Sequence, residues 1–298
     1  MIVVELMRRQ GLTGEEADVR GYMEAFKTEY ENVKRRRLKA ASPEVAANVR
    51  RRRLAVRLRM LLSRKKCGRK KGRLVLQGFM EPKWWGCGAR DSPVVAASTL
   101  KAMVWRRHRG QRRRRRRRLG LSCIDLTGAY LQADDFPADA ATRYVSFKPH
   151  PEMPEDISEL TGPLYGGTDS GMLWWRTIAT WLVDEAGFVQ GRNDPCLFTY
   201  TGLIEDGSGD KRDITLGLNV DDILTSADDE DRDWFYAKFM KRFECTEPDI
   251  LTEDTPLRFV SLRITMEMKG GVEYRHMDCT DAVDKVVEKR AVAGRGVK

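Results

Sequence analysis

The chain has 298 residues, enough for one sizeable core or for one domain with an appended arm. Its formal net charge of +10 is uneven: residues 1–120 hold 35 Lys and Arg against 10 Asp and Glu, whereas the remainder holds 19 against 34. A basic half beside an acidic half is typical of a protein that holds a polyanion and performs metal chemistry on it. The alternative is a solvated basic arm without a specific partner.

The six cysteines include no C-x-x-C pair, so the sequence predicts neither a zinc site nor a disulfide framework. They indicate ordinary thiols in a reducing, intracellular compartment, either cytoplasmic or nuclear. No apolar run approaches the roughly 20 residues of a membrane span, and the N-terminus lacks the apolar segment of a secretory signal. We therefore expect no membrane partner.

Residues 1–68 predict a basic, mostly helical N-terminal arm. Ser42 and Pro43 form a helix start, which predicts a second helix up to about Ser63. This arm either contacts nucleic acid or does not fold. The first helix is predicted over residues 15–41 because apolar residues recur there at helical spacing, namely Val19, Met23, Phe26, Tyr30 and Val33.

Beyond this arm, residues 73–79 alternate as a strand and residues 96–105 begin a helix. A run of seven consecutive arginines follows. Such a run cannot pack into a core, because its charges repel one another, but it would bind phosphates tightly and without sequence preference. The predicted nucleic-acid-binding residues are Arg112, Arg113, Arg114, Arg115, Arg116, Arg117 and Arg118.

The second half predicts short strands and helices in alternation. The acidic run at residues 228–231 is interpreted as a helix start in preference to a second metal site, because acidic residues favour a helix N-terminus. Strands are predicted at residues 121–125, 144–147 and 258–268, and helices at residues 171–186, from 228 onward and at 281–290.

Two short apolar runs within residues 214–225 flank the adjacent carboxylates of Asp221 and Asp222. They predict a β-hairpin with the Asp pair at or beside its turn. A plain surface turn is the alternative. Two neighbouring carboxylates repel each other unless a cation or a proton separates them, and hard oxygen ligands suit magnesium.

Asp125 ends another apolar strand, roughly ninety residues before this pair, and Tyr130 follows it by five residues. This layout resembles that of palm-domain polymerases, and the chain resembles the reverse transcriptase domain of copia-type LTR retrotransposons. Further blocks agree in order: Lys71–Phe79 with "KARLVAKGF", Ser92–Val95 with "SPVV", Leu164–Trp175 with "LYGLKQSPRAWY", Gly187–Phe198 with "GF…DPCLF" and Leu257–Ile264 with "LKYFLGIEI".

The resemblance implies an α+β polymerase fold of fingers and palm over residues 69–291, with an antiparallel ferredoxin-like palm sheet and an incomplete thumb. Residues 106–118 would be an Arg-rich insertion and residues 292–298 a C-terminal tail. The implied activity is RNA-directed DNA synthesis by two-metal nucleotidyl transfer. It would require two Mg²⁺ or Mn²⁺ ions, dNTPs and an RNA or DNA template–primer.

The resemblance also implies residue roles. Asp125 and Asp221 would bind the ions and Asp222 would complete the cluster. Lys71 and Arg73 would neutralise the incoming triphosphate, unless they belong to a solvated strand face. Tyr130 would block a ribose 2′-hydroxyl, unless it is an ordinary core tyrosine.

This chain also departs from the family pattern at several positions. An Asn stands where the family has a Tyr before Val-Asp-Asp, and the thumb is only begun. The alternatives are therefore a catalytically inactive transposon remnant that binds nucleic acid through Arg-rich segments, and a chain that does not fold stably. The departing residues are Gly167, Thr168, Gly171, Met172, Asn219 and Ser261.

Overall fold

The computed structural model describes residues 2–12, 16–65, 67–85, 91–106, 119–148, 155–205, 207–280 and 283–284. Within those ranges the fold is mixed α and β, with six α-helices, three sheets and several short 3₁₀ turns. The helices are α1 (Ile2–Arg9), α2 (Glu16–Arg37), α3 (Pro43–Arg52), α4 (Ala97–Val104), α5 (Ser170–Thr180) and α6 (Asp229–Phe239). The strands are β1 (Leu38–Ala40), β2 (Val56–Arg64), β3 (Lys70–Leu76), β4 (Gly120–Asp125), β5 (Arg143–Phe147), β6 (Asp156–Leu160), β7 (Val189–Gln190), β8 (Leu197–Tyr200), β9 (Ile214–Asn219), β10 (Asp222–Ala227), β11 (Asp249–Ile250), β12 (Leu257–Phe259), β13 (Leu262–Lys269) and β14 (Val272–Asp278).

The chain divides into two compact units. The first unit comprises residues 1–92 and 130–177, and the second comprises residues 93–129 and 178–298. The predicted boundary between arm and polymerase, at residues 68 and 69, falls between β2 and β3. These two strands pair antiparallel within the first unit.

The first unit contains a five-stranded sheet in the order β1-β6-β5-β2-β3, in which only β2 and β5 run parallel. In β2, residues at even positions from Val56 to Leu62 are buried and those between them are exposed. The predicted second helix was wrong beyond Arg52, because Arg53 adopts a left-handed conformation (φ 53°) that ends α3. The period-two alternation of residues 56–62 then decides the structure in favour of a strand.

Helix α2 confirms the predicted first helix and covers part of this sheet. Val33 is completely buried, and the other apolar residues of its predicted face pack against the same core. Gly72 of β3 permits the close approach, since a β-carbon there would lie 2.7 Å from the carbonyl oxygen of Ala25. The Glu29 side chain accepts a hydrogen bond from the backbone N–H of Leu74 (3.0 Å), which fastens α2 to the edge strand.

The second unit contains an antiparallel six-stranded sheet in the order β11-β4-β10-β9-β8-β7 and a three-stranded sheet β12-β13-β14. Helix α6 begins at the predicted acidic run. Asp228 is its N-cap, and its carboxylate accepts a hydrogen bond from the N–H of Asp231 (2.9 Å). The predicted helix start is therefore confirmed.

Two further predictions meet different outcomes. The helix predicted over residues 171–186 is confirmed: α5 continues as a π turn to Glu185, and Gly187 follows at φ 80°. The single strand predicted over residues 258–268 was wrong. Val260 and Ser261 both have positive φ (49° and 66°), so the chain turns there and β12 pairs back onto β13. Such turns usually contain Gly or Asn, but here Val and Ser occupy the two positions, so the sequence does not predict the turn.

The arginine run at residues 112–118 lies outside the described residues, as does most of the helix predicted at 281–290. Among the helices that the structure describes, none is both long enough and apolar enough to cross a membrane.

Candidate active site

The adjacent aspartates Asp221 and Asp222 lie at the tip of the β9–β10 hairpin. Asn219 pairs with Asp222, so Val220 and Asp221 form a two-residue connection and Asp222 begins β10. The predicted hairpin is confirmed. Val220 has φ 50°, which is costly for a β-branched residue, on the order of 1–3 kcal/mol. The strand pairing on either side holds the connection in this strained form.

Asp125 lies directly opposite Asp222. Strands β4 and β10 pair antiparallel over six residues, from Asp222 with Asp125 to Ala227 with Gly120. Directly opposed residues point to the same face of a sheet, with their β-carbons about 4.5–5.5 Å apart. Register alone therefore brings together two carboxylates that are roughly ninety residues apart in sequence. We call Asp125, Asp221 and Asp222 the carboxylate cluster.

The charges of this cluster interact. Burial and, to a smaller extent, the neighbouring charges of Asp221 and Asp125 together raise the pKa of Asp222 to about 7. Burial also raises the pKa of the Cys123 thiol, with a smaller contribution from Asp222. The carboxylates that contribute to both shifts lie together at one end of the sheet, where a bound cation would offset their charge.

The backbone around the cluster is held by bonds on several sides. The carbonyl of Asp221 accepts a hydrogen bond from the N–H of Leu126 (2.6 Å), which ties the hairpin tip to the end of β4. The N–H of Asp125 donates to the Thr246 hydroxyl (3.1 Å), and its carbonyl accepts from the N–H of Thr246 (2.9 Å). These bonds fix the backbone from which the side chains of Asp125 and Asp221 project.

The cluster lies on the sheet face opposite α6. Ser122 and Thr225 contact the Tyr236 hydroxyl of α6 at 2.9 and 3.0 Å, so that face is covered by the helix. Side chains alternate along a strand, so Asp125 and Asp222 point to the other face. On that face α4 covers the middle of the sheet, where a β-carbon on Gly217 would lie 3.0 Å from the Met103 sulfur.

The fit of divalent metal ions can be judged from the donor set. In the part of the chain that the structure describes, no three His, Cys, Asp or Glu side chains are arranged to hold a metal ion by themselves. Magnesium, however, is usually bound by one or two carboxylates together with substrate phosphates. Asp125 and Asp222, with Asp221 beside them, supply oxygen ligands of this kind. The metal-binding role of the three residues stays a prediction.

The predicted nucleotide-binding residues lie in the first unit. The Arg73 guanidinium lies over the Tyr165 ring, 5.6 Å from its centroid, and the Tyr165 and Tyr130 rings meet edge-to-face with their centroids 5.3 Å apart. Arg73 is exposed, whereas Tyr130 is half-buried. Lys71 lies two residues before Arg73 on the same strand face. We call Arg73, Tyr130 and Tyr165 the cation–aromatic cluster.

Tyr165 was quoted for the family resemblance but was not predicted to have a role. Its carbonyl accepts a hydrogen bond from the N–H of Leu76 at the end of β3 (2.7 Å). Two glycines allow this crossing: a β-carbon on Gly166 would lie 2.2 Å from the Leu76 carbonyl oxygen, and one on Gly78 would lie 2.1 Å from that of Gly166. The sequence could have drawn attention to Tyr165, because Gly78 and Gly166 stand in the blocks Lys71–Phe79 and Leu164–Trp175 that match the family. Nothing in the sequence shows that these two blocks contact each other.

Comparison with known proteins finds weak similarity to retrotransposon polyproteins. No family model matches the chain. Over 167 residues, or 56% of its length, it is 24% identical to the Gag-Pol polyprotein of transposon Ty1-GR3 of Saccharomyces cerevisiae, and equally to that of transposon Ty1-OR. The chain spans 9% of the length of these polyproteins. It is thus weakly similar to part of copia-type retrotransposon polyproteins.

Among solved structures, a telomerase from Candida albicans in complex with a TWJ fragment of telomeric RNA aligns with 81% of this chain and 49% of its own. The TM-score is 0.46 and the sequence identity 9%.

Proposed function

We propose that this chain is the reverse transcriptase domain of a retrotransposon-derived polyprotein, acting as an RNA-directed DNA polymerase. The observation that carries the proposal is the register of β4 and β10, which places Asp125 opposite Asp222 beside Asp221. The weak similarity to Gag-Pol polyproteins supports it. In this proposal the antiparallel sheet of the second unit is the palm, and the sheet of the first unit belongs to the fingers.

The proposed reaction is nucleotidyl transfer. The primer 3′-hydroxyl oxygen loses its proton to solvent and bonds to the α-phosphorus of a dNTP. The bond from that phosphorus to the oxygen bridging it to the β-phosphorus breaks, and pyrophosphate leaves with the electron pair. Two divalent ions, when bound, would supply the positive charge that stabilises the attacking and leaving oxygens. The carboxylate cluster would hold such ions through its negative charge and its carboxylate oxygens.

The cation–aromatic cluster would hold the nucleotide. The exposed guanidinium of Arg73 can pair with triphosphate oxygens, to which a guanidinium fork is well matched, and Lys71 adds a second cation on the same strand face. Tyr130 would exclude the ribose 2′-hydroxyl through the bulk of its ring. The template–primer partner would be RNA or DNA.

The test is primer extension on an RNA template, in magnesium and in manganese, by the wild type and by Asp221→Asn. The substitution keeps the shape of the side chain but removes one charge where two cations must be held. We expect extension to fall by about 100-fold or more, since the charge developing in the transition state loses its stabilisation. Affinity for template–primer, measured by fluorescence anisotropy, should be nearly unchanged.

Asp249→Asn is the matched control, because Asp249 is an exposed carboxylate on β11 of the same sheet, opposite Cys123. It should extend primers as the wild type does. Equal extension by wild type and Asp221→Asn would show that Asp221 is not a catalytic ligand. Binding without extension by all three proteins would instead favour the non-catalytic remnant.

A further inference from the structure

Arg37 is a buried cation at the end of a basic run. It is the last residue of α2, follows Lys34, Arg35 and Arg36, and is only 2% exposed. Burying a guanidinium is costly unless its N–H groups find partners. The hydrogen-bond partners of the Arg37 guanidinium therefore indicate its structural role.

Those bonds converge on one short segment. The Nη2 group donates to the carbonyls of Ala133 (2.6 Å) and Tyr130 (3.2 Å), and Nη1 donates to the carboxylate of Asp135 (2.8 Å). The side chain of Asp135 is 72% exposed, so the charge is balanced at the surface. Between them, the three bonds fix the backbone of residues 130–135 to the end of α2.

The position of the guanidinium is itself defined by a glycine. A β-carbon on Gly162 would lie 2.2 Å from Nη1 of Arg37 and 2.9 Å from its Cζ. The Arg37 carbonyl accepts from the N–H of Thr161 (3.0 Å), and the Thr161 carbonyl accepts from the N–H of Phe136 (2.8 Å). The guanidinium thus fits a space bounded by residues 130–136 and 161–162.

We infer that Arg37 is a positioning residue, which holds the backbone at Tyr130 so that the Tyr130 ring stays against Tyr165. The consequence for nucleotide selection rests on the proposed function. If Tyr130 excludes the ribose 2′-hydroxyl, a shift of its backbone opens space for that hydroxyl. Loss of Arg37 then weakens discrimination between dNTPs and rNTPs, beyond any general loss of activity.

The experiment compares two variants of the full chain with a matched control. Arg37→Gln removes the charge and the paired N–H groups, whereas Gly162→Ala retains Arg37 and displaces its guanidinium. Arg143→Gln removes another buried arginine of the same unit, which is bonded to Asp169 and to the Trp85 carbonyl. This control removes an ion pair that is more deeply buried than that of Arg37, and its guanidinium lies over the Phe136 ring (4.0 Å) but makes no bond to Tyr130.

Two measurements are made on each protein. Amide hydrogen exchange over residues 130–134 should rise in Arg37→Gln and Gly162→Ala but not in Arg143→Gln. The ratio of kcat/KM for a dNTP to that for the matching rNTP should fall by about 10-fold in the first two variants, because small misplacements near reacting groups have effects of this order or larger. Arg143→Gln should retain the wild-type ratio.

Unchanged exchange and an unchanged ratio in Arg37→Gln would overturn the inference, as would an equal fall of the ratio in Arg143→Gln. If Arg37→Gln does not fold, Gly162→Ala decides by the same two measurements. A wild type that extends no primer contradicts the proposed function instead. In that case the exchange pattern alone decides whether Arg37 positions residues 130–134.

Discussion

The two clusters are assembled in different ways. The carboxylate cluster comes from strands that pair with each other, so the backbone register places Asp125 opposite Asp222. The cation–aromatic cluster comes from three segments that share no strand pairing with one another. Its members are placed by ring contacts, a loop carbonyl and, through Tyr130, the buried guanidinium of Arg37. We therefore expect the carboxylate cluster to keep its arrangement after side-chain substitutions of a kind that would displace residues of the cation–aromatic cluster.

The largest effect is expected from a substitution at Asp231, which holds the base of the β9–β10 hairpin. Asp231 of α6 is completely buried, pairs with Arg212 (3.0 Å) and accepts the N–H of Asp213, the residue before β9 (2.8 Å). Asp231→Ala leaves the mostly buried Arg212 without this partner and should lower the free energy of unfolding by about 3–5 kcal/mol. Urea denaturation measures this.

Asp233→Ala is the control on the same helix, since Asp233 is 68% exposed and pairs with Arg232 at the surface. Such a surface pair contributes about 0–1 kcal/mol. A loss in Asp231→Ala no greater than that in Asp233→Ala would mean that strand pairing alone fixes the hairpin, and the two clusters would then differ even more in what holds them.

The same contrast explains how much could be predicted from the sequence. The β9–β10 hairpin and β4 were predictable because apolar runs bracket each Asp, and antiparallel pairing then leaves few possible registers. The β2 strand was missed because its Arg and Leu residues also suit a helix. The left-handed Arg53 that ends α3 before this strand has no sequence signature. The arrangement of the cation–aromatic cluster depends on long-range contacts, which no local pattern encodes.

The burial of Arg37 could have been predicted from the sequence, whereas the residue that it holds could not. Arg37 ends a run of four basic residues, and such runs are usually solvated. Yet it lies four residues after Val33 and seven after Tyr30, on the helix face that the apolar residues mark. Helical periodicity could therefore have separated it from Arg35, which is exposed. Periodicity could not have identified Tyr130 as the residue it holds.

A smaller effect, opposite in sign, is expected within the carboxylate cluster. Asp222→Asn removes one of two like charges that face each other across β4 and β10, a pairing that destabilises a sheet. We expect the variant to be more stable than the wild type by about 0.2–1 kcal/mol in metal-free buffer well above pH 7, where Asp222, whose pKa is raised to about 7, is ionised. Thermal unfolding with EDTA measures the difference, and Asp249→Asn is again the control, with little change expected. A less stable Asp222→Asn would show that bonds made by this carboxylate outweigh the repulsion.

The smallest expected effect concerns the strand that carries Arg73. Burial raises the pKa of Glu29 above its usual 4.5, while the bond from Leu74 and the charges of Lys71 and Arg73 act in the opposite direction. The folded state therefore binds this proton more tightly than the unfolded chain does. The stability that results is fully present below pH 4.5, and it is lost as the pH rises through the higher folded value.

Glu29→Gln keeps an oxygen that can accept from Leu74 but does not titrate. We expect the stability of the wild type, measured by urea denaturation between pH 4 and 7, to fall relative to that of Glu29→Gln as the pH rises, because only the wild type must ionise a partly buried carboxyl. Glu24→Gln, on the exposed part of α2, should follow the wild-type profile. Parallel profiles for wild type and Glu29→Gln would mean that this carboxyl titrates alike in the folded and unfolded states. The contact between α2 and β3 would then be insensitive to its charge, and the strand under Arg73 would be held by its pairing with β2, as the carboxylates are held by theirs.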